Sequence, residues 1–464
     1  MTGSAVHTAP VPTPAPAATS VKTVGGTDEG APSWPITAMF GAYPVWWALG
    51  LGVLIFPLMA VPMVYLLVRR DRHTGRRRPI ALPPGFPLWL LFLAIVVLSA
   101  AALGADPAGV VVGSASGRLT AVTYRFVCYA ALTVLLVYLG NTGRLALPQH
   151  RLVRLLAWLF VVTVAGGLLG VLAGGFEFDS AVERLLPHHL RANGFVQSLV
   201  HPSAAQVMDL LGGARPRPAA PWGYTNTWGN NVCLLGGWVG VWALARRGGR
   251  RVFATIVLTL AVIPVDYSLN RGMWIGLGVI VGYVALQLAR RGRLAALCGT
   301  AVAAAVLAIA LAATPLGALA GDRVDNGKSN GVRLYLTDRA LQGVRESPLI
   351  GFGSTRNTQG GRSSITVGKT TNCARCGNFT VGGNGQLWQL LFAHGLLGTA
   401  AYLGFFLYGL WRFRADTSPI GLAGGAAIVS TFAAMFWYNA LVTPLAFTFC
   451  GYALLWRNAA RWPR

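Results

Sequence analysis

Between Tyr43 and Trp456 the chain repeats one pattern: an apolar run long enough to cross a bilayer, then a polar break. The runs occupy 43–68, 86–103, 119–139, 155–174, 228–245, 252–267, 272–288, 294–319, 386–411, 420–438 and 441–456. A helix needs ~20 apolar residues to span the hydrocarbon core, where its backbone must be hydrogen-bonded within the segment. The class predicted is all-α: a polytopic membrane protein with about eleven transmembrane helices and a large helical extracytoplasmic loop. Composition excludes a soluble fold, since 54% of the 464 residues are hydrophobic and 11% charged. Pro57 and Pro62 interrupt the first run, so 34–68 reads as one span or as two short helices. No repeat of fixed length is visible.

The charge is basic, with 38 Lys and Arg against 14 Asp and Glu, a net of +24. It lies in short pieces between spans, so membrane lipids are expected partners and nucleic acid is not. Clusters at Arg69–Arg78, Arg246–Arg251, Arg290–Arg293 and Arg412–Arg414 fall on every second side of the bundle. One orientation in a cell membrane places all of them, and the C-terminus, in the cytoplasm, with both long loops outside. Residues 1–40, rich in Pro, Ala and Thr, read as a disordered tail without the features of a signal peptide. Residues 41–464 are the membrane domain, with outer loops 176–222 and 320–385.

The second loop holds a predicted helix, Asn330–Glu346, which stops at Ser347-Pro348. At about 100° per residue, Val332, Leu336, Ala340, Leu341 and Val344 share one arc, and Asp338, Arg339, Gln342, Arg345 and Glu346 the opposite one. Arg333 interrupts the apolar arc. A guanidinium there needs an anion or a hydrogen-bonding acceptor, whether a ligand or a carboxylate of the chain. Arg271 is a second such residue. Asn270 can cap the following span, placing Arg271 at a helix N-terminus, where the first amides and the dipole favour a phosphate. The plainer alternative is a snorkelling ion pair with Asp266. Arg125, about two turns into the third run, is a weaker phosphate candidate.

Arg191 and Arg215 make the first outer loop basic, as would suit a polyanionic lipid or saccharide. Within it, Pro202–Leu211 reads as a short helix closed by Gly212-Gly213, and His188, His189 and His201 as solvated loop residues. Tyr224, Asn226 and Trp228 open the fifth run. Such aromatics and amides suit sugar rings, and equally serve as interfacial anchors. Cys373 and Cys376 form a Cys-x-x-Cys pair that lacks nearby partners for zinc, so a local disulfide is expected there, and neither metal nor cofactor. Carboxylates are nearly absent from the spans, which speaks against a proton-coupled transporter.

Several stretches, in order, resemble the O-antigen ligase and polysaccharide polymerase superfamily. They are Gly223-Tyr224-Thr-Asn226, then Ser268-Leu-Asn-Arg271-Gly272, then Arg333 to Ala340 followed by Glu346-Ser-Pro348-Leu-Ile-Gly351-Phe-Gly353, and finally Gly395-Leu-Leu-Gly398. The resemblance covers roughly 222–406. It implies a metal-independent glycosyltransferase on the outer face. The donor would be a saccharide on polyprenyl pyrophosphate, and the acceptor a hydroxyl of a lipid or glycan. Arg271 and Arg333 match the family arginines that grip the pyrophosphate, where positive charge stabilises the leaving group. The family's catalytic histidine stands eleven residues before Gly395, and this chain has Asn384 there. An amide has no useful basicity, though it can orient an acceptor hydroxyl. Asp266, Asp338 and His201 remain as candidate bases. Arg191, Arg215, Tyr224, Asn226, Trp228, Asp266, Asp338 and Arg339 are the candidate substrate-binding residues. The alternatives are a lipid-linked glycan flippase or a catalytically silent glycolipid-binding homologue.

Overall fold

The computed structural model describes residues 30–73, 79–209, 214–245, 248–293, 328–358 and 380–459, with isolated positions between 295 and 301. The eighth predicted run, the Cys373/Cys376 pair and most of the N-terminal tail lie outside the described residues. Most of what is described is helical. The first run is divided into α1 (Trp34–Gly41), α2 (Tyr43–Ala48) and α3 (Ile55–His73), so α1 begins inside the stretch expected as tail. Prolines stand in the first turns of α1 and α2, where the missing N–H costs nothing.

Then follow α4 (Phe86–Leu98), α5 (Ala115–Asn141) and α6 (Gln149–Leu172). The first long loop carries α7 (Ala181–Leu185), α8 (His188–Arg191) and α9 (Gly194–Val200). Next come α10 (Thr225–Leu244), α11 (Gly249–Tyr267), α12 (Arg271–Ala289) and α13 (Lys328–Glu346). The chain closes with α14 (Gln386–Arg412), α15 (Pro419–Ala434) and α16 (Thr443–Ala459). Among the described residues, α5, α6, α12 and α14 are long and apolar enough to cross a membrane, and α4 and α15 are shorter apolar helices. The bundle centres on Trp89, fully buried against Phe92, Tyr129, Tyr402, Phe405 and Phe449.

One predicted helix is a hairpin instead. Within Pro202–Leu211, β1 (Ala205–Asp209) pairs antiparallel with β2 (Ala214–Pro218), Met208 opposite Arg215. The partner strand, Ala-Arg-Pro-Arg-Pro, cannot be helical, and Gly212-Gly213 marks a hairpin as readily as a helix stop. A second ribbon joins β3 (Arg356–Asn357) to β4 (Thr380–Val381).

The predicted loop helix is present as α13, but its buried face is narrower than the apolar arc. Leu336 and Ala340 pack with Val110, Phe352, Val381 and Phe392, whereas Leu341 is exposed. Gly343, not a large residue, lies against the Phe392 ring, which turns the packed face away from Leu341.

The segment after α13 is seated in a break in α14. At Gly395 the backbone leaves the helix, with φ 62° and ψ −166°. The amides of Phe352 and Gly353 donate to the carbonyls of Phe392 and Ala393 at 3.0 and 2.8 Å, and the Leu396 amide donates to the Pro348 carbonyl at 2.7 Å. A buried helix interruption is tolerated only when another segment satisfies the freed backbone groups, and Pro348–Gly353 does so here.

Beyond it, Arg356, 2% exposed, donates from Nη2 to the carbonyls of Leu103, Ala105 and Phe352 and from Nε to Asp106 at 3.3 Å. Arg118 pairs with the same carboxylate. Burial and the charge of Arg118 push Arg356 down to about 10, with Asp106 opposing. Burial would raise Asp106, but the Gly113 amide and the two arginines hold it below the usual carboxylate range. The clamp is therefore fully charged at neutral pH.

A Cβ on residue 395 would come within 2.4 Å of the Leu349 carbonyl oxygen, in a backbone region closed to L side chains. Gly395→Ala should therefore cost at least ~1–3 kcal/mol from backbone strain alone. Denaturant unfolding of the detergent-purified protein measures this, and a midpoint equal to wild type would contradict the described seating.

Candidate functional site

α11 and α12 meet in the turn Ser268–Asn270, where Leu269 holds a φ of 49°, uncommon for a residue with a side chain. Asn270 flanks α12 but does not cap it. Its Oδ1 accepts from the Tyr438 hydroxyl, and its Nδ2 donates to the Thr225 carbonyl at 3.2 Å. Arg271 follows as the first residue of α12. Gly272 then presses the helix start against the segment joining α15 to α16. A Cβ there would lie 2.3 Å from Trp437 Cδ1 and 2.7 Å from the Tyr438 hydroxyl.

Arg217, on β2 and 6% exposed, holds the turn from the other side, donating from Nε to the Ser268 carbonyl at 2.6 Å. Burial pushes the Tyr438 phenol far above its usual range, and the nearby Arg333 and Arg217 charges oppose this without reversing it. Tyr438 thus stays protonated and serves as a donor. Burial pushes Arg333 down, Tyr438 opposes, and Arg271 lies close enough for its charge to push further in the same direction. A guanidinium starts so far above neutrality that Arg333 remains charged. Asn384 joins this group from just before α14. Its Nδ2 donates to Thr337 Oγ1 at 3.1 Å and to the Arg333 carbonyl at 3.4 Å, while its buried Oδ1 has no partner among the described residues.

Asn384 is therefore bonded to the Arg333 backbone, Arg271 lies within electrostatic range of the Arg333 guanidinium, and Arg217, Asn270 and Tyr438 lie beside them. The other predicted residues sit elsewhere or in different roles. Arg191 pairs with Asp179 at 2.6 Å, and Arg215 is exposed on the hairpin. Asp338 is exposed and accepts from Gln342. Arg339 lies over the Tyr335 ring and donates to Gln342. Trp228 is fully buried, its indole donating to the Thr163 carbonyl at 2.9 Å. Tyr224 and Asn226 are exposed, and the intervening Thr225 is the residue that reaches Asn270. Asp266 is buried at the end of α11 and makes no ion pair with Arg271 among the described residues. His394 is buried deeper in α14, its Nδ1 2.9 Å from Ser99 Oγ.

Asp179, Glu183 and His201 converge as potential metal ligands. Each already has a protein partner: Asp179 has Arg191, and Glu183 lies 2.8 Å from His201. His201 is thereby engaged in the first loop, which also counts against its use as a base.

Residues 254–371 match a family model described as O-antigen ligase. Over that stretch the chain is similar to the O-antigen ligase family. The matched stretch runs from α11 through Arg271 and Arg333, so it holds two of the clustered arginines and the turn that presents one of them. No curated protein matches the chain.

Sequence reasoning passed over Arg217 and Tyr438. Arg217 was one of several loop arginines. Its only distinguishing mark is the Arg-Pro-Arg-Pro strand that fixes its side. Tyr438 sits at the end of a predicted span, where tyrosine reads as an interfacial anchor.

If the cluster is one unit, its members should couple. Tyr438→Phe removes one buried hydrogen bond and should cost about 1 kcal/mol, and Arg217→Leu, which orphans the Ser268 carbonyl, about 2 kcal/mol. Unfolding midpoints of the single and double variants should be non-additive. Strict additivity would mean that the two act on the turn separately.

Proposed function

We propose that the protein is an integral-membrane glycosyltransferase of the ligase or polymerase type. It moves a saccharide from a polyprenyl-pyrophosphate donor to a hydroxyl of a lipid or glycan on the outer face. The observation that carries this reading is the gathering of Arg217 and Arg333 near Tyr438, with Arg271, at the start of α12, within electrostatic range of Arg333. Guanidinium groups gathered in a partly buried setting concentrate positive charge where an anionic ligand can bind. A diphosphate has that charge and accepts bidentate bonds from guanidinium groups. As the C1–O bond breaks, negative charge develops on the departing diphosphate, and preorganised cations stabilise it there. Arginine clusters at alternate ends of the spans support an outward-facing site and a cytoplasmic C-terminus.

Transfer of saccharide from a purified polyprenyl-pyrophosphate donor tests this. Arg271→Ala and Arg333→Ala should each slow the reaction by about 10²-fold or more. Full activity in both variants would end the proposal.

One observation favours a second reading, a silent glycolipid-binding homologue. Asn384 stands at the position of the family's histidine and uses its amide to hold α13. A wild-type protein that binds donor without transfer, and gains transfer on Asn384→His, would select that reading. Under the transferase reading, wild-type protein is active as it stands, and Asp266 is the first residue to test as the base.

A further inference from the structure

We propose that Arg125 is the centre of a second phosphate-binding site, built with Ser354 and Thr355 and distinct from the Arg271–Arg333 cluster. Arg125 lies about 15 Å along α5 from its start, in a helix long and apolar enough to span a membrane. Nη1 donates to Ser354 Oγ at 3.3 Å, and Nη2 to Thr355 Oγ1 at 3.0 Å. Both acceptors are neutral. The other side chains beside it, Tyr124, Tyr129 and His394, are phenols and an imidazole rather than carboxylates. No carboxylate pairs with Arg125 among the described residues. Arg125 as a residue is half-buried, and the two hydroxyls leave further N–H donors of its guanidinium without a carboxylate partner among the described residues.

A positive charge in an apolar helix without a counter-charge is costly, and such residues mark sites that an anion completes. The donor set fits phosphate. A guanidinium has five N–H donors, of which the two hydroxyls take one each. Because Ser354 and Thr355 accept from Arg125, each keeps its own proton to donate. A phosphate at the remaining N–H groups would meet a charged fork flanked by two hydroxyl donors.

The fold fixes this arrangement. Ser354 and Thr355 directly follow Gly353, whose amide is bonded to Ala393, and precede the clamped Arg356. Gln386 stands between the two sites: its Nε2 donates to Tyr129 Oη at 3.2 Å and its amide to the Tyr438 carbonyl at 2.8 Å. The Arg125 phosphate would thus lie on the other side of the start of α14 from the arginine cluster.

The phosphate has two possible sources, an anionic lipid headgroup or a soluble phosphate. Two arms distinguish them. The full-length protein is reconstituted in phosphatidylcholine nanodiscs, and its unfolding temperature is followed on adding either a minor fraction of phosphatidylglycerol or inorganic phosphate. Wild type should gain a few degrees in at least one arm. Arg125→Gln should lose that gain, and Arg125→Lys should keep part of it. A gain confined to the first arm assigns a lipid headgroup, and a gain in the second assigns a soluble phosphate. If Arg125→Gln does not fold, the Ser354→Ala/Thr355→Val double variant keeps the charge and should show a smaller gain. An equal gain in wild type and whichever variant folds, or no gain in wild type in either arm, overturns the site. No readout here needs glycosyl transfer, so failure would leave the transferase reading untouched.

Discussion

The arrangement depends on a helix that is not allowed to be continuous. α14 breaks at Gly395, and the backbone of Pro348–Gly353 fills the break. Those hydrogen bonds fix the end of the loop that begins with α13. Asn384 fixes its other side, through bonds to Thr337 and to the Arg333 carbonyl. α13 is thus tied in its first half by Asn384, just before α14, and through the segment that follows it to the break within α14, so Arg333 is presented by a braced element and not by a free loop. In an apolar setting, unsatisfied backbone groups are so costly that the interruption and its filling segment exist only together. That is a physical reason for Gly-x-Gly and Gly-Leu-Leu-Gly to occur in one chain: each segment completes the hydrogen bonds the other leaves open.

The second arginine is braced differently. Arg271 depends on a turn that Arg217 holds by Ser268 and that Tyr438 and Thr225 hold by Asn270. Three separate stretches, β2, the start of α10 and the segment between α15 and α16, converge on Asn270 and on Ser268 two residues before it. This is the organisation expected of a preorganised charge site, where the groups that bind are fixed by others that do not. It also explains why Asn270, suited by type to cap α12, does not cap it. Its side chain is already used in both directions.

What the sequence disclosed and what it hid follow from this geometry. Span positions depend on hydropathy over many residues, so α5, α6, α12 and α14 were legible. Arg333 and Arg271 were legible because each breaks a local pattern, one an apolar arc and the other a span boundary. The hairpin at 205–218 was not, since a glycine pair ends helices and turns strands alike. Leu341 was misplaced because periodicity finds the apolar arc but not which part of it a neighbour covers. Arg217 and Tyr438 were hidden for a further reason. Each acts through a contact more than fifty residues away along the chain, Arg217 with Ser268 and Tyr438 with Asn270, and no local window holds both partners.

The amide at Asn384 can be weighed on chemical grounds. A diphosphate bound by guanidinium groups is a good leaving group and needs little protonation, so acid catalysis is not the missing element. What a histidine would add is proton removal from the acceptor hydroxyl, typically a 10²–10⁴-fold effect. If bond breaking at C1 runs ahead of bond making, the hydroxyl grows acidic only as it attacks, and the requirement for a base is smallest. The geometry of Asn384 suits that case: Nδ2 is committed to α13, while the buried Oδ1, without a partner among the described residues, is an acceptor of the kind an attacking hydroxyl requires. An amide oxygen can align such a proton without taking it. Under the transferase reading, this site therefore relies on charge at the leaving group and on alignment at the nucleophile, with the arginines supplying the larger share.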